Sequence, residues 1–120
     1  MELIALLSSG KGTWGQVAGL INKGEWDNVI LICPEYARQN LLGFDFSKKG
    51  EILSFNFDKP ITELIKEIKE KLKPKIKGME VALSIASGEG KEHMTLISAI
   101  LQVPVGIKFV ALTKEGILEF

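Results

Sequence analysis

"SIASGEGKEHMTLISAIL", residues 84–101, runs from the end of an apolar strand through two glycines and a lysine into an amphipathic stretch. Upstream, "EVALSIA" at 80–86 is a short apolar run of the kind that forms a buried strand. Downstream, Met94, Ile97, Ile100 and Leu101 recur at helical spacing. The stretch is therefore one strand-to-helix unit, and its turn concentrates Ser87, Gly88, Gly90, Lys91 and His93. Two explanations stand. A flexible corner needs glycine, and so does an anion site, where backbone N–H groups approach a ligand and the helix start favours negative charge.

Working outward, the same alternation recurs along the chain. Residues 2–7 read as a buried strand ended by "SSGKG", followed by a helical face of Trp14, Val17, Ala18 and Ile21. Thr13 and Gln16 have capping-box spacing and Gly24 suits the helix stop. "NVILIC", 28–33, predicts a second buried strand, and a short helix through Tyr36 and Leu41 closes at Gly43. "EILSFNF", 51–57, reads as a strand nearer the sheet edge. From Pro60, Ile61, Leu64, Ile65, Ile68 and Leu72 repeat at helical spacing, with Glu67 and Lys71 an i,i+4 pair. After the opening stretch, "GIKFVAL" and "ILEF" predict two strands around a tight "TKEG" turn. The order βαβαβαβαββ predicts one α/β domain over residues 1–120, with a parallel sheet covered on both faces. Right-handed crossovers make 3-2-1-4-5 the natural strand order of a Rossmann-like three-layer fold, with strand 6 antiparallel at the edge. The segment 43–50, "GFDFSKKG", is the one long loop besides the glycine turns.

Composition narrows the function. The 120 residues are 46% hydrophobic, with 15 basic and 15 acidic side chains and a formal net charge of zero. That balance offers no electrostatic case for duplex nucleic acid or an anionic membrane. No apolar run approaches the roughly 20 residues a bilayer span needs. The start lacks a basic region before its apolar run, so no signal peptide is expected and the chain is assigned to the cytoplasm. Cys33 is the single cysteine, which excludes an internal disulfide and a cysteine-clustered zinc site. At a strand end it reads as a small core residue. Basic charge is nearly all lysine, Arg38 being the one arginine, a bias that follows the thermophile trend. The Lys-rich run 66–77 reads as a solvated helix face.

In the 3-2-1-4-5 order the connections reverse direction between strands 1 and 4, and ligands bind beyond the carboxyl ends at such a point. The loops there are "SSGKGTWG", 8–15, and "ASGEGKEHM", 86–94; each has serine, two close glycines and a lysine, and each opens a helix. The candidate ligand-binding residues are Ser8, Ser9, Gly10, Lys11, Gly12 and Thr13 on the first loop. On the second they are Ser87, Gly88, Glu89, Gly90, Lys91 and Met94. His93 is the single residue with an ordinary pKa near neutrality and hence the acid–base candidate. Gly10, Gly12 and Gly15 also spell G-x-G-x-x-G after a strand, the dinucleotide fingerprint, with Glu35 as its acidic partner at the end of strand 2. "GEGKE" is not a Walker A loop, because Ile85 stands where the upstream glycine belongs and Glu92 where the metal-binding Ser/Thr belongs. Trp14 and Trp26 pack the first helix on the sheet, and Trp14 lies where a base could stack.

The pairing of "SSGKGT" after strand 1 with "SGEGKEHM" after strand 4 resembles the CARF domains, the CRISPR-associated Rossmann-fold sensors of cyclic oligoadenylates. Family members carry a Gly-Gly-Thr-Lys-x-Met-like turn after strand 4. Gly88, Gly90 and Lys91 match it loosely, Glu89 intrudes, the Thr is absent and Met94 lies one residue late. The resemblance implies an antiviral role, a cyclic oligoadenylate or related nucleotide as ligand, and a homodimer with a two-fold site. In a stand-alone form it further implies a sensor subunit, a ligand sponge or a metal-independent ring nuclease. For cleavage, the ribose 2′-OH attacks its own 3′-phosphate. Ser8 or Ser9 would hold ribose or phosphate, Lys91 would stabilise developing charge and His93 would move a proton. No cofactor and no metal is expected. Two alternatives stay open: a small dinucleotide- or CoA-binding domain, and a non-catalytic interaction subunit.

Overall fold

The computed structural model describes residues 1–8, 13–41 and 50–120. Six strands form one sheet: β1 Glu2–Leu6, β2 Val29–Pro34, β3 Gly50–Phe55, β4 Glu80–Ser84, β5 Gly106–Thr113 and β6 Gly116–Glu119. Their order is β3-β2-β1-β4-β5-β6. The pairings β1–β2, β1–β4, β2–β3 and β4–β5 are parallel, and β5–β6 is antiparallel. Three helices, α1 Trp14–Lys23, α2 Ile61–Leu72 and α3 Gly90–Gln102, complete an α/β, Rossmann-like layout. The expected short helix after strand 2 is a 3-10 helix, Glu35–Leu41. Its stop at Gly43 and the remaining loop before Gly50 lie outside the described residues.

The central strands read as continuous apolar runs because they are buried on both faces. All residues of β1 and β2 are buried. Strand pleating sends alternate side chains to opposite layers. Leu3, Ala5, Val29, Leu31 and Cys33 pack under α1, with Val17, Leu20 and Ile21. Ile4, Leu6, Ile30, Ile32, Val81 and Leu83 pack under α2 and α3, against Leu64, Ile68, Leu72, Leu96, Ala99 and Ile100. Each fully buried Leu or Ile of this kind is worth about 1.5–3 kcal/mol relative to exposure.

Helix ends depart from the sequence reading in two places. Thr13 at the start of α1 has helical dihedrals and makes no side-chain capping bond, so the Thr13–Gln16 box does not form; a capping side chain accepts from the first-turn N–H groups out of extended backbone, which Thr13 does not adopt. Gly24 ends α1 in an extended conformation rather than a left-handed one. Its reason is space: a Cβ there would stand 2.4 Å from the Trp26 indole, whose Nε1–H donates to the Leu20 carbonyl at 3.0 Å. On α2, Glu67 takes the ammonium of Lys59 at 2.7 Å. The "TKEG" turn needs glycine for backbone reasons, since Gly116 has φ +108°. Thr113 Oγ1 closes the hairpin by donating to the Gly116 carbonyl and accepting the Glu115 N–H.

Cys33 is fully buried in the α1 layer, as the sequence suggested. Burial pushes its thiol up to about 11, with Arg38 pulling weakly the other way. A raised thiol value stabilises the fold below the unfolded thiol's pKa, and that contribution is lost as pH rises toward 11. At pH 8 only about one thiol in a thousand is ionised. Iodoacetamide is expected to leave the native chain unlabelled over an hour and to label it fully in denaturant; native labelling at the rate of a free thiol would contradict this burial. Among the described residues, no helix is long and apolar enough to cross a membrane.

Candidate functional site

Strands β1 and β4 are neighbours, with Ala5 opposite Ser84. The chain leaves β1 toward α1 on one face of the sheet and leaves β4 toward α3 on the other. The carboxyl ends of β1 and β4 thus lie side by side at the point where the connections change direction, the place where ligands bind in such sheets.

Ser8 and Ser87 meet there. The Ser8 N–H donates to Ser87 Oγ at 2.9 Å, and the Ser8 hydroxyl donates to Glu92 Oε2 at 2.5 Å. Both serines and Glu92 are buried. The other Glu92 oxygen accepts the Glu89 N–H at 2.9 Å, while the Glu89 side chain accepts the Glu92 N–H. This reciprocal capping box starts α3, and the helix dipole favours the Glu92 carboxylate at that end. The box pairs two first-turn donors, so the N–H groups of Gly90 and Lys91 are the first-turn donors that the helix leaves to other partners.

His93 closes the turn from the other side. Its Nε2 lies 2.8 Å from the Ser87 carbonyl. A carbonyl only accepts, so Nε2 carries the proton, and Nδ1 is the acceptor of the neutral ring. Gly88, between these partners, has φ +99°, and a Cβ would stand 2.5 Å from Leu6 Cδ2 and 3.0 Å from Glu92 Oε1. This glycine is therefore required by both backbone and space. Gly90 and Gly15 are different, since a Cβ at either meets nothing within 4 Å. In a dinucleotide fingerprint the third glycine allows close helix–strand packing. Gly15 makes no such approach; Gly19 does, with a Cβ position 2.5 Å from Leu112 Cδ2.

The lysine of the second turn reaches away from α3. Lys91 Nζ donates to the Phe57 carbonyl at 2.8 Å and to the Lys59 carbonyl at 3.1 Å, tying α3 to the β3–α2 connection. Two of its three N–H donors are used this way. Met94 is 60% exposed on the first turns of α3. Trp14 is half-buried against the α1 layer and donates its Nε1–H to the Ser8 carbonyl at 2.9 Å, so its indole sits at the end of β1. Thr13 lies half-buried before it. Ser9, Gly10, Lys11 and Gly12 fall outside the described residues. Of the sequence candidates, Ser8, Ser87, Gly88, Glu89 and His93 thus converge on one hydrogen-bonded cluster.

Glu92 is the member that the sequence reading passed over. Its signal was present as Glu89-x-x-Glu92 between the glycines and an apolar run, the spacing of a capping box with glutamate at the cap. Among the described residues, no group of three or more His, Cys, Asp or Glu could hold a metal ion. No protein-family model matches the chain, and no curated protein matches it either.

Proposed function

We propose that the chain binds a nucleotide of the cyclic oligoadenylate class in the crevice between β1 and β4, as a homodimer with that crevice near the two-fold axis. The observation that carries the reading is the Ser8 N–H to Ser87 Oγ contact at 2.9 Å, which draws the ends of both glycine turns to one place. A ligand there has the Gly90 and Lys91 N–H groups within the first turn of α3, and the Lys91 ammonium, held by the Phe57 and Lys59 carbonyls, keeps its third N–H for a phosphate. The motif resemblance supplies the ligand class, and with it a role in antiviral defence. Cleavage is the further step of the same proposal. The His93 ring, held by the Ser87 carbonyl through Nε2, presents Nδ1 as a proton acceptor for a ribose 2′-OH. The 2′ oxygen bonds to the adjacent phosphorus as the P–O5′ bond breaks, giving a 2′,3′-cyclic phosphate. The leaving 5′ oxygen takes a proton from water, and Lys91 offsets charge on the phosphate.

Thermal unfolding with added ligand tests the binding. A hundredfold excess of cyclic tetra- or hexa-adenylate over its Kd should stabilise the chain by about 2.7 kcal/mol. In calorimetric titration, Lys91→Ala should weaken binding about tenfold, the effect of one charge-assisted hydrogen bond. Stabilisation by NAD(P) or CoA instead would favour a dinucleotide-type domain, against which the open surroundings of Gly15 stand. Stabilisation by none of them would leave an interaction subunit.

A further inference from the structure

The strand pair β5–β6 is covered on one face and bare on the other. Val110, Leu112 and Ile117 pack with the α1 layer, so Ile107, Phe109 and Ala111 point to the opposite side. Leu118 pairs with Ala111, and the Phe120 N–H donates to the Phe109 carbonyl at 2.9 Å, which sets Leu118 and Phe120 on that side too. There α3 covers Ile107 and Phe109 only in part, and Leu118 and Phe120 are exposed. We infer that this face seats a second copy of the chain, with the α3 ridge of each copy lying in the bare β5–β6 trough of the other. The inference rests on the homodimer of the proposed function and supplies its surface.

Apolar exposure, charge, shape and area each point to a second copy. Among the described residues six large hydrophobics are exposed, and four of them, Met94, Leu101, Leu118 and Phe120, lie on α3 or on this strand face. Lys91 reaches from α3 toward the start of α2, whereas Met94, Ile97 and Leu101 form a stripe on the side turned from it, where α3 meets β5. No charged residue occurs from Met94 to Gln102, and the strand charges face away: Lys108 and Glu119 lie 3.4 Å apart on the α1 side. A two-fold interface sets a patch against its own copy, so a charged face would repel itself and this one does not. A ridge beside a trough is also self-complementary under a two-fold axis, each ridge filling the other copy's trough. The helix and the two strands give a flat footprint roughly 20 Å on a side, the size at which exposed apolar surface marks an interface. With Ser98, Gln102 and Thr113 at its rim, it approaches the roughly 800 Å2 that each partner gives to a standard dimer, about an eighth of the 6665 Å2 surface. Its upper end is Met94, next to His93, so a copy seated here stands beside the proposed ligand site.

Light scattering on the chain without ligand should give twice its 13.2 kDa mass at micromolar concentration. Leu101→Glu and Phe120→Glu, both at exposed positions, should leave the circular dichroism spectrum of the folded chain unchanged. Each should raise the dimer dissociation constant at least about thirtyfold, the loss of one interface hot spot. Tyr36→Glu places the same charge at an equally exposed hydrophobic position after β2, away from this face, and should leave the dimer intact. A monomeric wild type, or a dimer that both face variants leave intact, would overturn the assignment. Titration with cyclic tetra-adenylate reads the ligand separately. A dimer that the face variants split but that takes no cyclic tetra-adenylate supports this face and counts against the ligand reading alone. A monomeric wild type that binds cyclic tetra-adenylate overturns the face and keeps the ligand.

Discussion

Replacing Gly88 with alanine is expected to destabilise the chain by about 3 kcal/mol, the sum of two separate penalties. Moving a non-glycine residue into left-handed backbone costs about 1–2 kcal/mol, and Gly88 has φ +99°. Overpacking a tight site costs about 1–3 kcal/mol, and the added methyl would stand 2.5 Å from Leu6 Cδ2, 3.0 Å from Glu92 Oε1 and 3.3 Å from His93 Nε2. Leu6 is fully buried in the α2/α3 layer and cannot retreat without disturbing its neighbours. Calorimetric unfolding should show a midpoint lowered by about 10 °C. Gly90→Ala is the matched control, since its Cβ meets open space and its φ is not positive; it should move the midpoint little. A Gly88→Ala midpoint equal to that control would mean that the turn relaxes freely and that the cluster around it is loose.

The second large effect belongs to Glu92. Glu92→Ala removes the acceptor of both the Ser8 hydroxyl and the Glu89 N–H, the first of them buried. Hydrogen bonds to a charged group contribute about 1.5–3 kcal/mol, and a lost cap costs about 1 kcal/mol. An overall loss of about 3 kcal/mol is expected, read from the denaturant midpoint at unchanged m-value. Glu92→Gln should cost only about 1 kcal/mol. The Gln oxygen still accepts the Glu89 N–H, and the Ser8 hydroxyl can rotate to accept from the new amide. Equal losses for the two variants would mean that the negative charge at the start of α3 carries the effect. A stable Glu92→Ala would mean that water replaces the carboxylate and the two turns are not joined through it.

How far the sequence carries this protein is visible residue by residue. β1, β2 and β4 were legible because strands buried on both faces read as unbroken apolar runs, and α2 because its apolar residues keep a strict helical repeat. Strand order followed from short connections and crossover handedness, which leave few arrangements for a βα alternation. The short helix read through Tyr36 and Leu41 is present as a 3-10 helix, Glu35–Leu41. Apolar spacing over so few residues does not distinguish it from an α-helix. Thr13–Gln16 had capping spacing but lacks the extended backbone a cap requires, whereas Glu89–Glu92 has both.

The candidate site divides in the same way. Sequence by itself determined the parallel sheet, its order, and hence that strands 1 and 4 end side by side, because these depend on local periodicity and chain connectivity. Side-chain partners across 79 and 84 residues, Ser8 with Ser87 and Ser8 with Glu92, were decided only by the tertiary structure. So was the direction of Lys91, which the sequence aimed at a ligand and the fold directs to the carbonyls of Phe57 and Lys59. A lysine's long side chain goes to whichever acceptors packing brings within reach, and no local pattern in the chain records where those acceptors will be.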